Sequence, residues 1–260
     1  MINILKYDFY KIFHSKVLRW TVIISTILCL LDPIIWYANG VTSQSVTSAL
    51  RSPSTILPLA IMIFAALFSA KDFSSGYIKN ISTRKDKLQY VLSKAIYIFL
   101  FTLFLQIVFI IYIILFHLIG ADRFIMKYPL PPVNSITSTN WRYDNYTYGD
   151  VFLNMFLHVG LLSSLGLCIM FLSLLSKNEI IPIIAGMTYL MLFSGLLYSL
   201  FNDLFAIDLF REKYTLISQC TAYIEYNSTS LDLLISIAVI VFYSGISIML
   251  SWLLMKRRRA

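Results

Sequence analysis

Six long apolar segments occupy most of this chain, and this pattern limits the fold more than any other feature of the sequence. Each segment is close to the length of a helix that crosses a hydrocarbon layer, which needs about 20 residues at about 1.5 Å per residue. A soluble domain has no use for six such segments, so the sequence predicts an all-α membrane protein with six transmembrane helices. The segments cover residues 20–37, 54–70, 95–119, 151–175, 180–201 and 233–255.

The composition agrees with a membrane location. Of the 260 residues, 58% are hydrophobic and 13% are charged, and the mean hydropathy is +0.76. Soluble domains carry about 25% charged residues, so an integral membrane protein is the better class. The stretches between the apolar segments are too short to bury a separate core. We therefore expect a single transmembrane domain over residues 1–260.

The distribution of Lys and Arg predicts the orientation of the chain. If the segments alternate in direction and the N-terminus is cytoplasmic, 15 of the 21 Lys and Arg residues lie on the cytoplasmic side and 6 lie outside. The positive-inside rule then favours cytoplasmic N- and C-termini. This topology also explains the net charge of +8, so we expect no nucleic-acid partner.

The N-terminal residues 1–16 have the pattern of a helix that lies on a membrane surface. Their apolar residues share about 100° of arc on a helical wheel, and polar residues such as Asp8 and Lys11 take the other side. We expect a short amphipathic helix in the cytoplasmic interface of the membrane. Lys6 and Lys16 can extend from this helix to the lipid head groups.

The longest cytoplasmic loop, residues 71–90, joins the second and third apolar segments. It is charged, but Phe73, Tyr77, Ile78 and Ile81 follow a helical i, i+4, i+5, i+8 spacing. Such a short amphipathic helix can dock on another protein or lie on lipid.

Two longer loops are predicted on the outside. Residues 120–150 are rich in aromatic residues and prolines and are expected to form a partly ordered cap. Within the second external loop, 202–232, residues 204–210 are apolar but too short to cross a membrane. They are typical of a re-entrant or interfacial segment between helices five and six.

Catalytic motifs are missing from the sequence. It contains no G-x-x-x-x-G-K-[ST] phosphate loop, no H-E-x-x-H metal pair and no G-x-S-x-G nucleophile turn. Cys29, Cys168 and Cys220 have neither metal-binding nor redox spacing and are expected to be packing residues. We therefore expect no catalytic site, metal or cofactor on this chain.

The apolar segments also lack the groups that usually couple transport to an ion gradient. Secondary transporters carry acids or bases within the membrane, whereas Gln106 and His158 are the most polar groups near the middle of these segments. If the chain transports a solute, its energy is expected to come from another protein.

The second and fifth segments carry aromatic, methionine and hydroxyl side chains. Methionine and aromatic groups adapt to irregular apolar shapes, so this surface can pass an amphipathic cargo, but ordinary helix packing explains it equally well. The residues are Met62, Phe64, Phe68, Met187, Thr188, Tyr189 and Phe193.

Taken over essentially its whole length, the chain resembles the membrane subunit (permease) of type-2 ABC exporters. The loop after the second segment carries the most specific part of the resemblance. Asp72 is followed four residues later by Gly76, then by a turn that ends at Thr83 and Arg84, and Lys94 enters the third segment. Asp72 stands where the family often has Glu, and Thr83 stands where it often has Pro.

The resemblance implies a coupling helix near residues 72–82 that rests on a separately encoded ATPase. It also implies a working unit of two permease subunits, identical or different, and two ATPases that bind ATP and Mg, in the plasma membrane of a bacterial cell. In such exporters the second and fifth segments line the transport path, which assigns that role to the seven residues named above. The implied ATPase-contact residues are Asp72, Phe73, Ser74, Gly76, Tyr77, Lys79, Asn80, Ser82 and Arg84.

The expected function is outward transport, by alternating access, of an amphipathic peptide such as a toxin, bacteriocin or modulin, or of another hydrophobic cargo. Such export can also serve immunity to the peptide. Three alternatives remain open. An ion-coupled secondary carrier would transport without an ATPase, a membrane-embedded enzyme would need a cluster of acids or metal ligands, and a non-transporting immunity or receptor scaffold would need no ATPase.

Overall fold

The computed structural model of the protein describes residues 2–38, 56–74, 87–118, 148–191, 216 and 230–257, and every element in these ranges is an α-helix. The prediction of an all-helical chain is therefore confirmed for this part of the protein. The seven described helices are α1 (Ile2–His14), α2 (Lys16–Ala38), α3 (Ile56–Ser74), α4 (Lys87–Leu118), α5 (Tyr148–Ser176), α6 (Ile180–Met191) and α7 (Ser230–Arg257).

Three of the described helices are long and apolar enough to cross a membrane. They are Lys87–Tyr112 in α4, Met155–Ser176 in α5 and Leu233–Arg257 in α7. These correspond to the third, fourth and sixth apolar segments, while the first and second fall on α2 and α3 and the fifth begins in α6. Residues 75–86 and most of the two predicted external loops lie outside the described residues.

Two prolines lie where a helix tolerates them. Pro58 and Pro182 are in the first turns of α3 and α6, where the backbone N–H groups have no partner within the helix. In the interior of each helix the backbone groups bond within the helix, which is what a hydrocarbon environment requires.

Helix α3 lies at the centre of the described bundle. Its Phe64 ring stacks on Phe101 of α4 with 3.9 Å between centroids, and Phe68 meets Tyr97 at 5.9 Å. Later residues of α3 thus meet earlier residues of α4, so these two helices are antiparallel. Helix α3 also packs against α5, where Ser173 Oγ donates a hydrogen bond to the carbonyl oxygen of Ala66 at 3.1 Å.

Hydroxyl groups join α5 to α7. Ser164 Oγ lies 3.3 Å from the carbonyl oxygen of Ile240, and Cys168 Sγ lies 3.2 Å from Ser247 Oγ. Later residues of α5 meet later residues of α7, so the two helices run parallel. Small and hydroxylated residues let helices approach closely in lipid, and Cys168 is one of these packing residues.

Gly166 marks the closest approach of α3, α4 and α5. A Cβ at this position would lie 2.6 Å from Ile98 Cγ2 and 3.0 Å from Ile61 Cγ2. Gly166→Ala is expected to destabilise the protein, because overpacking costs about 1–3 kcal/mol and outweighs a gain of about 1 kcal/mol in helix propensity. Gly245→Ala is the control, since a Cβ there meets nothing within 4 Å.

Thermal unfolding of the two purified variants in detergent measures this difference. We expect a lower midpoint for Gly166→Ala and an unchanged or higher midpoint for Gly245→Ala. Equal midpoints would show that the three helices are not packed as closely as described.

Candidate functional site: a buried cluster of charged side chains

The polar side of α1 faces the rest of the protein. Asp8 is 0% exposed and Lys11 is 8% exposed, whereas Phe9 and Phe13 on the apolar side are exposed. The sequence predicts the two sides of this helix, but the side opposite the apolar residues is buried by protein rather than wetted by the cytoplasm. The reason is that α3 and α4 each place one buried charge against it.

Four charged side chains from three helices form an alternating chain. Lys94 Nζ of α4 lies 2.5 Å from Asp8 Oδ1 and 2.8 Å from Asp72 Oδ2 of α3. Lys11 Nζ of α1 pairs with the other oxygen of Asp72, Oδ1. We call Asp8, Lys94, Asp72 and Lys11 the ion cluster. Its two positive and two negative charges balance.

Hydroxyl groups of α4 complete the bonding of both carboxylates. Ser93 Oγ donates to Asp8 Oδ2 at 2.6 Å, and Tyr90 OH donates to Asp72 Oδ2 at 2.8 Å. Each of the four carboxylate oxygens in the ion cluster therefore has a donor. Buried ion pairs offset their loss of hydration only when their remaining hydrogen-bonding capacity is also satisfied, and this one meets that condition.

Two further contacts fix the cluster in place. The Phe68 ring lies beneath both lysines, with its centroid 3.8 Å from Lys94 Nζ and 4.9 Å from Lys11 Nζ. A desolvated cation–π contact contributes about 2 kcal/mol. Beside the cluster, Tyr97 OH of α4 donates to the carbonyl oxygen of Leu5 at 2.7 Å, so α1 is attached to α4 at a second point.

Burial and neighbouring charges shift the pKa values of Lys11 and Asp72. The pKa of Lys11 falls from 10.5 to about 8, because burial disfavours its charge and Lys94 repels it, which outweighs the attraction of Asp72. For Asp72, burial alone would raise the pKa, but Lys94 and Lys11 together hold it below its usual value of 3.8. Asp72 is therefore ionised throughout the physiological range.

The lowered pKa of Lys11 predicts a rise in stability at alkaline pH. Between pH 8 and 10.5 the unfolded chain holds a proton on Lys11 that the folded protein has lost, so the free energy of unfolding rises with pH in this window. Lys11→Met removes this pH-dependent contribution to the free energy of unfolding. The unfolding midpoint of the wild type, measured relative to Lys11→Met, is expected to increase across the window, and a constant difference would contradict the assignment.

The ion cluster is a structural link. Its charges balance and its carboxylate oxygens are all bonded, so it offers no free acid or base. It joins α1 to the last turn of α3 and the first turns of α4. Asp72 and Tyr90 stand on either side of residues 75–86, so the cluster also ties together both ends of the predicted cytoplasmic loop.

The predicted ATPase-contact residues are only partly within the described chain. Asp72 is fully buried in the ion cluster, and Phe73 and Ser74 end α3. Their contact with a partner stays a prediction. The other members, Gly76, Tyr77, Lys79, Asn80, Ser82 and Arg84, lie outside the described residues.

The predicted transport-path residues occupy different environments. On α3, Met62, Phe64 and Phe68 are buried in the core of this chain. On α6, Met187 packs partly against that core and Thr188 is exposed. The Tyr189 side chain and all of Phe193 lie outside the described part. Helix packing within one chain accounts for the α3 residues, and a role in a path stays a prediction.

Sequence reasoning missed the ion cluster as a unit. It placed Asp8 and Lys11 on the water side of α1 and began the third apolar segment after Lys94, whereas the candidate span in the structure, Lys87–Tyr112, includes this lysine. The sequence did contain a usable signal. Asp8 and Lys11 are one helical turn apart on α1. Asp72 comes shortly after the second apolar segment, and Lys94 directly precedes the third.

Within the described ranges, the other polar groups do not assemble into a second site. Gln106 of α4 is buried, and its Oε1 atom has no hydrogen-bond partner among the described residues. His158 of α5 is partly buried and has interactions of its own. In the same ranges of the chain, no group of three His, Cys, Asp or Glu side chains is arranged to hold a metal ion.

Comparison with known proteins finds one family. A family model described as "Protein of unknown function (DUF2705)" matches residues 23–259. The matched range contains Asp72 and Lys94 and begins after α1, so Asp8 and Lys11 lie before it. No curated protein sequence matches the chain.

Proposed function

The chain belongs to the DUF2705 family, and we propose that it is the membrane-embedded subunit of an exporter driven by a separate ATPase. Its cargo is an amphipathic peptide, such as a toxin, bacteriocin or modulin, or another hydrophobic compound. The chain provides the conduit, and ATP and Mg are bound by the partner. Two copies of the ATPase and a second permease subunit, identical or related, complete the assembly.

The ion cluster is the observation that carries this proposal. A segment that receives force from a partner needs a firm base, and here both ends of residues 71–90 are held by bonds to Asp72. The buried hydrogen bond from Tyr90 and the buried ion pair with Lys94 join the end of α3 to the start of α4. Lys11 and Asp8 add α1 as a third attachment.

The relative directions of the helices support the same topology. Helix α4 is antiparallel to α3, and α7 runs parallel to α5. This is the alternation expected if α3, α4, α5 and α7 are the second, third, fourth and sixth of six crossings. Together with the excess of Lys and Arg on one side, it favours cytoplasmic N- and C-termini and a cytoplasmic position for residues 71–90.

The packing of α3 suggests how force would reach the membrane. A push on the loop acts on Asp72 at the end of α3, and α3 in turn packs against α4 through Phe64 and Phe101 and against α5 through Ser173. Well-packed helices move as units rather than deform continuously. ATP-driven closure of the partner would thus rock α3 with its neighbours and alternate the access of the conduit.

Three other functions give different results in a simple experiment. An ion-coupled carrier would transport alone and stop when the ion gradient collapses. An immunity or receptor scaffold would bind a peptide without binding an ATPase. A membrane-embedded enzyme would turn over a substrate with this chain alone.

Co-purification tests the proposal directly. The full chain, carrying an affinity tag, is expressed in turn with each ABC ATPase of its own organism and extracted in mild detergent. We expect the ATPase to co-purify with the wild type and to be lost with Tyr77→Ala/Lys79→Ala, which changes the predicted contact segment. Lys256→Ala/Arg257→Ala, at an exposed end of α7, is the control and should retain the ATPase. Equal recovery with all three chains, or no recovery with any, would contradict the proposal.

A further inference from the structure

The junction of α1 and α2 presents an apolar and aromatic surface away from the protein. Phe9, Tyr10 and Phe13 of α1 are 55%, 58% and 54% exposed, and Trp20 of α2 is 61% exposed. We call the exposed residues between positions 6 and 20 the elbow surface. An exposed apolar patch of this kind marks a site that another protein, a ligand or a membrane covers.

Every exposed charged side chain of the elbow surface is basic. Lys6, Lys16 and Arg19 are exposed, whereas Asp8, the only acid in this stretch, is fully buried in the ion cluster. The ion cluster therefore neutralises the inner side of α1 and leaves the outer side positive. Lys16 and Arg19 are three residues apart on α2, so they lie on one face of the helix.

The elbow surface continues into an apolar face on the next turns of α2. Ile23, Ile24 and Ile27 are exposed there, as expected for a helix in contact with hydrocarbon. Along α2 the exposed side chains thus change from the isoleucines to Trp20 and then to Arg19 and Lys16. Trp and Tyr favour the level of the lipid head groups, and Arg binds phosphate through paired hydrogen bonds.

We infer that the elbow surface is a binding site for anionic phospholipid head groups. The hydrocarbon of the bilayer covers the isoleucines of α2, the aromatic rings lie at the head-group level, and Lys6, Lys16 and Arg19 bind the phosphates. Zwitterionic lipid offers the same apolar covering without net negative charge, so the basic residues select anionic lipid. This inference does not depend on the proposed transport function.

Photo-crosslinking tests the inference with the full chain in vesicles and without any ATPase. Vesicles of phosphatidylcholine receive a trace of photoactivatable phosphatidylglycerol or photoactivatable phosphatidylcholine, and the adducts are mapped by mass spectrometry. We expect an excess of phosphatidylglycerol adducts at residues 6–20. A basic residue near an anionic membrane contributes about fivefold, so Lys6→Gln/Lys16→Gln/Arg19→Gln should reduce this excess by about tenfold or more.

A second triple variant removes the same charge elsewhere. Lys177→Gln/Lys256→Gln/Arg257→Gln changes three exposed basic residues outside the elbow surface and should retain the excess. Equal labelling of the elbow by both lipids would overturn the inference, as would the same loss in both triple variants. Absence of lipid adducts at residues 6–20, with adducts elsewhere on the chain, would also overturn it.

Discussion

Lys94→Met is expected to destabilise the folded protein by about 3–5 kcal/mol, the usual cost of removing one member of a buried ion pair. Of the side chains that the structure describes, Lys94 is the one that forms ion pairs with both Asp8 and Asp72. Without it, Asp8 keeps the hydrogen bond from Ser93 Oγ, and two buried carboxylates share the single charge of Lys11. Thermal unfolding in detergent, or the yield of monodisperse protein, measures the effect.

Lys11→Met provides the matched comparison for Lys94→Met. Burial already lowers the pKa of Lys11 to about 8, so keeping Lys11 charged in the folded protein costs free energy. When Lys11 is replaced, Asp72 keeps its ion pair with Lys94 and its hydrogen bond from Tyr90. We expect a loss of no more than about 1 kcal/mol at neutral pH. Similar losses for the two variants would mean that Lys94 is not the centre of the cluster.

Asp8→Asn/Lys11→Met is expected to weaken transport without preventing folding. The double variant removes one charge of each sign, so the remaining pair of Lys94 and Asp72 stays neutral and the packing of α3 is unchanged. Helix α1 loses its ionic attachment to α3 and α4. Coupling between two sites is typically worth about 1–3 kcal/mol, so we expect cargo transport per ATP hydrolysed to fall about 5- to 150-fold.

Inside-out vesicles that contain the permease and its ATPase allow cargo transport and ATP hydrolysis to be measured in the same sample. ATP hydrolysis and co-purification of the ATPase should persist in the double variant, which separates a loss of coupling from a loss of assembly. Lys256→Gln/Arg257→Gln is the control for altered surface charge. If the double variant transports as well as this control, the ion cluster has no part in coupling.

The helices could be predicted from the sequence because hydropathy is a local property. The apolar runs near residues 95–119, 151–175 and 233–255 need no knowledge of their neighbours to be recognised, and α4, α5 and α7 lie on them. The candidate span in the structure begins at Lys87 rather than at residue 95. A lysine ends an apolar run when it is considered alone, but Lys94 continues the buried helix because two carboxylates neutralise it.

The ion cluster could not be predicted because its members are distant in sequence. Lys94 and Asp8 are 86 residues apart, and Lys11 and Asp72 are 61 apart. Periodicity identifies the polar side of α1, but it cannot tell whether water or protein covers that side. The role of the α3 residues is difficult to predict for a similar reason. Methionine and phenylalanine occur both in packed cores and along transport paths, so residue type alone does not distinguish the two.

Transport by the reconstituted chain, with and without its ATPase, is the most direct test of the central claim that the permease takes its energy from a partner. With the ATPase present, cargo should accumulate in inside-out vesicles only when ATP and Mg are supplied, and a hydrolysis-deficient ATPase should abolish accumulation. The chain alone should show none. Accumulation by the chain alone, driven by an ion gradient and indifferent to ATP, would contradict the account.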